Sequence, residues 1–191
     1  LYSLSGKPGQ LLSDPEAFPP GTSACDWSAM ALALSGQEGD YEAYLNGLKA
    51  YVEEAYARDG GLDRVKSTPY HRIALTVMAL GGDPTAFGEK PDGTAINLIE
   101  DGIWSFSGNI GAQGLNGWIY ALLTLDAWGR EVPEGAAVTR QDMVQAIVSA
   151  QEPEGGFGLA AGAPDVDITA MALQALAPYA SEHSGAINAA L

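Results

Sequence analysis

The stretch "PDVDITAMALQAL", residues 164–176, decides how this chain is read. Two aspartates, Asp165 and Asp167, stand one residue apart at the mouth of a strongly apolar run. Aspartate favours the position just before a helix, where its carboxylate accepts backbone N–H groups that have no partner within the helix. The same pair could instead act as a proton donor and its neighbour. Capping is the preferred reading and acid chemistry the alternative.

Similar apolar runs occur elsewhere: "DWSAMALAL" (26–34), "YHRIALTVMAL" (70–80) and "NGWIYALLTL" (116–125). The first and the last of the four share Asp-x-Ser/Thr-Ala-Met-Ala-Leu without a gap. Aligning Ala31, Ala74, Ala121 and Ala172 gives steps of 43, 47 and 51 residues, the signature of a repeat. Each run is apolar nearly all round, so each predicts a helix buried on most sides.

Helices of a second kind lie between them. "DYEAYLNGLKAYVEEAYARDGG" (40–61) places Tyr41, Tyr44, Leu45, Leu48, Tyr51, Val52 and Ala55 on one stripe, and Gly60 and Gly61 stop it. "TRQDMVQAIVSAQ" (139–151) starts with Thr139 and Asp142 spaced as a capping box. "TAINLIEDGIWSF" (94–106) is a weaker third case, and "SGAINAAL" (184–191) begins a fourth. Strand signals are nearly absent. The glycines of "DGGL" (59–62) and "EGGFG" (154–158) predict tight chain reversals. Leu62, Phe106 and Phe157, placed 18, 19 and 19 residues before Leu80, Leu125 and Leu176, predict plugs against the helix ends.

Alternating buried and amphipathic helices predict an all-α, double-layered barrel, with a linear helical solenoid as the alternative. We expect a single domain over 1–191 with four repeats, about 18–60, 61–105, 106–152 and 153–191. The chain starts at Leu1 with no visible signal peptide and ends in a helix still in progress, so we expect a fragment of a longer protein.

Composition narrows the partners. The chain of 191 residues is 47% hydrophobic and 17% charged, which is globular rather than disordered. Its formal net charge is −15, which repels nucleic acid and anionic membranes. No apolar run approaches the ~20 residues that span a bilayer. Cys25 is the lone cysteine, so no internal disulfide forms.

The segment "QEPEGGFG" (151–158), followed by an Asp-containing loop and an apolar helix, resembles the repeats of the terpenoid cyclase and protein prenyltransferase superfamily. Gln151, Gly155, Gly156 and Phe157 match, with Phe in place of the usual Trp. Ala146 stands five residues before Gln151, where that repeat prefers an aromatic. The phrases "YHRIAL" (70–75), "GGDPT" (81–85), "GLNGWI" (114–119) and "DITAMALQALAPY" (167–179) are similar to bacterial secreted or cell-envelope proteins with such repeats. The resemblance implies an α/α toroid, here partial with about four hairpins, and an extracellular or envelope location.

Within that resemblance, "DVDITA" (165–170) looks like the Asp-rich motif of squalene-hopene cyclases. It implies Asp167 as the acid that protonates an alkene, with Asp165 before it. The next aspartate of the motif is replaced by Ile168, which removes a group that such a strong acid relies on. The likeness to prenyltransferases raises zinc, through Cys25, Asp26 and His71. The family's Asp-x-Cys order is not matched, so we expect no metal and no cofactor. Cationic residues are too sparse to cradle a diphosphate.

If the apolar helices are aligned, their N-terminal ends share one rim. Asp26, Trp27, Tyr70, His71, Asn116, Trp118 and Tyr120 then stand near it with Asp165 and Asp167. Aromatics with a few polar groups make a ligand mouth; wide rings that plug a barrel end are the other reading. We therefore expect a non-catalytic module that binds a small apolar or amphipathic molecule, or a partner such as the rest of the full-length protein. Cobalamin carriers share the fold, so a corrinoid is implied by resemblance. The alternative is a cyclase-like or prenyltransferase-like enzyme using Asp167 as general acid.

Overall fold

A computed structural model describes residues 11–191. The described chain is helical and carries no strand, only two isolated antiparallel bridges, Glu89–Ala95 and Gln151–Phe157. It divides into two compact units. One holds the residues up to Asp63 together with Pro69–Asp101, and the other Arg64–Thr68 with Gly102–Leu191. The boundary at Asp101 and Gly102 falls close to residue 106, where the third repeat is expected to begin.

The first unit is built on α1 (Ser23–Leu34), α2 (Tyr41–Asp59) and α3 (Thr68–Ala79), followed by a short α4 (Leu98–Gly102). Asp40 caps α2, its carboxylate accepting from Ala43 N at 3.0 Å. Tyr44, Leu48, Val52, Ala55 and Tyr56 then recur every three or four residues and are buried. The 94–106 stretch is the main departure from expectation. Only Leu98–Gly102 is helical, because the backbone before it bonds elsewhere. Ile96 pairs with Phe87 and Gly88, and Leu98 N donates to Pro84 O. Ile96, Leu98, Ile99 and Ile103 are still almost fully buried, so the segment fills the core without a long helix.

The second unit contains α5 (Leu115–Trp128), α6 (Arg140–Ser149), α7 (Val166–Leu176) and α8 (Ala180–Ala190). The Thr139–Asp142 capping box is formed in both directions. Met143, Val144 and Ile147 form the buried stripe of α6. Phe157 is fully buried, while Leu62 and Phe106 are half-buried.

The QEPEGGF turn seats α8. Gln151 Nε2 donates to Gly155 O and to Ala186 O, each at 2.7 Å. Gly155 has φ of 94°, and a Cβ there would collide with Ala189 O, so only glycine fits. α8 itself has no buried residue, and His183 interrupts it with non-helical angles.

Burial of the four apolar helices is uneven. α3 and α5 are enclosed, with six and seven buried residues. α1 buries only Asp26 and Ala29 and leaves Leu34 71% exposed; in α7, Ala170 and Gln174 are exposed. The expectation of burial on most sides therefore holds for α3 and α5 and not for α1 and α7. How far a helix is enclosed depends on what packs on it in space, and sequence hydrophobicity does not report that.

A polar motif recurs three times. A carboxylate takes one tyrosine hydroxyl and one cation, joining segments far apart in sequence. Asp101 accepts from Tyr56 at 2.7 Å and pairs with Lys90 at 3.1 Å. Asp126 accepts from Tyr179 at 2.9 Å and pairs with Arg140 at 3.0 Å. The third instance is centred on Asp26.

Candidate functional site

Asp26 lies in the first turn of α1 rather than before it, since the helix begins at Ser23 after Thr22. Its side chain is completely buried. Oδ1 accepts from Gly21 N at 2.9 Å and from Tyr44 Oη at 2.7 Å, and Oδ2 accepts from Arg72 Nε at 2.9 Å. Arg72 also donates to Gly21 O at 2.9 Å. Burial and the hydrogen bond to Asp26 push the Tyr44 hydroxyl far above the ordinary tyrosine value. The expected ligand contact is thus engaged inside the unit, tying α1 to α2 and α3. Its partner Arg72 sits 46 residues away, and the signal for it was a lone cation in an apolar run.

Tyr70 and His71, on α3, are 5% and 1% exposed. Tyr70 Oη accepts from Leu62 N at 2.9 Å and plugs the unit beneath the DGGL turn, where Gly61 leaves no room for a side chain. Burial pushes its hydroxyl pKa above the ordinary tyrosine value. Trp27 is half-buried. In this unit, therefore, three of the four rim candidates have almost no surface to offer a ligand. Cys25 is partly exposed, and the described residues contain no group of three or more His, Cys, Asp or Glu side chains placed to hold a metal.

In the second unit the two aspartates separate in role. Asp165 is the cap of α7, its carboxylate accepting from Ile168 N at 2.9 Å. Asp167 is the second residue of the helix and is exposed. The positions aligned with it, Asp26, Pro69 and Asn116, also fall inside their helices, so the repeated position lies in the first turn and not at the cap. The N-cap of α5 is Gly114, which makes no side-chain bond. Asn116 Oδ1 is buried with no hydrogen-bond partner among the described residues. Tyr120 is half-buried, donates to Met171 Sδ at 3.3 Å and has its hydroxyl pushed up by burial.

Trp118 is the candidate with open space beside it. A cleft of about 200 Å³ lies between the start of α5, the end of α6 and the loop before α7. Leu115, Trp118, Ala146, Ala150, Leu159 and Ala160 are among its walls, and no charged side chain lines it. Its walls are pinned by the backbone: Leu115 N donates to Leu159 O at 3.0 Å, and Gly114 N to Gly111 O at 2.9 Å. Gly114 has φ of 69°, and a Cβ there would strike Leu159 O. Ala146, being small, leaves the space open. The cleft as a whole was not legible in the sequence, because "GLAAGAP" (158–164) reads as a loop and nothing more.

Compared with known protein families, characterised proteins and solved structures, the chain matches none. Among the described residues no helix is long and apolar enough to cross a membrane.

Proposed function

We propose that this chain is a non-catalytic α/α-toroid module of a secreted or cell-envelope bacterial protein, binding a small apolar or amphipathic molecule at the N-terminal end of one of its apolar helices, α5. The observation that carries the reading is the cleft at the start of α5, where Trp118 stands beside open, uncharged space with walls already fixed. The alternation of apolar with amphipathic helices supports the toroid, and the phrases shared with bacterial envelope proteins support the location.

The enzyme alternative needs Asp167 as a strong acid. Such an acid works enclosed, away from water and beside groups that hold its proton ready. Asp167 is exposed, and Asp165 is engaged as a cap. Both points favour binding over catalysis.

Native mass spectrometry of the purified protein tests the reading. A co-purified molecule of definite mass, retained by wild type and lost in Trp118→Ala, is the expected result. Turnover of a polyprenyl substrate that disappears in Asp167→Ala, with the melting temperature unchanged, overturns it in favour of the enzyme.

A further inference from the structure

Resting on that binding reading, we infer that the Trp118 cleft takes one uncharged, ring-sized group, such as a phenyl, an indole or a small cycloalkyl ring. Size sets the first limit. An apolar cavity of about 150 Å³ holds a benzene molecule, and drug-sized ligands need roughly 300 Å³ or more. At about 200 Å³ the cleft accepts one ring, or the ring end of a larger molecule, and not a whole polycyclic ligand.

Charge sets the second limit. Leu115, Trp118, Ala146, Ala150, Leu159 and Ala160 bring methyl groups and an indole, backbone polar groups of the glycine-rich walls face the space beside them, and no charged side chain is there to pair with a charged guest. A charged group entering this space gives up water and gains no opposite charge in return, so an uncharged group is favoured. The chain carries −15 overall, and an anionic guest is repelled further. Leu159, 47% exposed, stands in the wall as an apolar surface beside the indole. Ala146 and Ala150, one turn apart on the same face at the end of α6, set the depth.

The test is an NMR titration of the Trp118 indole N–H, assigned by its absence in Trp118→Phe. Toluene and indole should shift it saturably, while benzoate and anilinium should not. Ala146→Phe fills the space from the helix side, and Ala160→Leu fills it from the loop, where no helix has to repack. Either variant, with the wild-type melting temperature, should weaken toluene binding by about tenfold or more. Equal shifts by benzoate and toluene overturn the inference, as does toluene binding that survives both filling variants. If rings leave Trp118 unmoved while a long-chain neutral amphiphile shifts it, the ring assignment fails and the binding reading stands. If no probe moves Trp118 and no ligand co-purifies, both fail.

Discussion

Removing the carboxylate of Asp26 should destabilise this protein far more than any other single aspartate substitution at the ends of its apolar helices. Asp26 is 0% exposed at its side chain, and Arg72, its partner, is 16% exposed. In Asp26→Ala three donors lose their acceptor at once: Gly21 N, Tyr44 Oη and Arg72 Nε. Breaking a buried ion pair from one side typically costs about 3–5 kcal/mol, because the remaining charge stays buried without compensation. Native domains are stable by only about 5–15 kcal/mol, so the loss is a large share of the whole. Asp26→Asn keeps an acceptor for Gly21 and Tyr44, but it removes both the charge and the acceptor facing Arg72 and sets an amide donor against its Nε. It should cost about 1.5–3 kcal/mol, the range for one hydrogen bond to a charged group. The paired replacement Asp26→Leu with Arg72→Met should be closer to wild type than Asp26→Ala alone, since neither side then carries an unmatched charge. Urea denaturation followed by far-ultraviolet circular dichroism measures all three. A loss below ~1 kcal/mol for Asp26→Ala is the value of an exposed pair. It would show that the carboxylate is open to water, and that Asp26 is free to meet a ligand after all.

The other aspartates give a graded control: Asp165→Ala should lose about 1 kcal/mol, the usual worth of a cap, while exposed Asp167→Ala should stay within about 0.5 kcal/mol; equal losses in thermal melts would contradict the assignment of roles. High pH probes the three tyrosine–carboxylate pairs together. Tyr44, Tyr56 and Tyr179 all hold their protons well above the ordinary value of 10, mainly through burial and then through the bonded carboxylate. The unfolded chain releases those protons near 10, so unfolding is favoured increasingly as pH rises past that point, and stability from these groups is complete below it. Melting temperature should fall steeply between about pH 10 and 11.5, and absorbance at tyrosinate wavelengths should show part of the tyrosine titrating only on unfolding. A melting temperature flat across that range would contradict the buried pairs.

What could be read from the sequence was local. The Thr139–Asp142 box, the Asp165 cap and the stripe members Tyr44, Leu48, Val52 and Ala55 depend on residues a few positions apart and formed as expected, while Tyr51, placed on the same stripe, is exposed. The all-helical character follows from the same periodicities. The failures share one cause, which is dependence on what lies across space. Residues 94–106 carry a helical pattern, yet Ile96 and Leu98 find backbone partners at Phe87, Gly88 and Pro84. Asp26 looks like a cap until Arg72 and Tyr44 are seen beside it. The cleft next to Trp118 comes from the smallness of Ala146, Ala150 and Ala160, and smallness has no period.

The seating of α8 on Gln151 has an implication for how the second unit comes apart. A helix with half-buried but no fully buried residues gains less from the hydrophobic effect than α5 does, so one amide group and a glycine-shaped notch carry a larger share of its attachment. Local opening of such an element requires little free energy, while α5, with seven buried residues, opens only when the unit unfolds. The Gln151 side chain therefore ties α8 to the turn that precedes α7. Gly155 and Ala189 meet there without a side chain between them, which sets the register in which α8 seats on the turn.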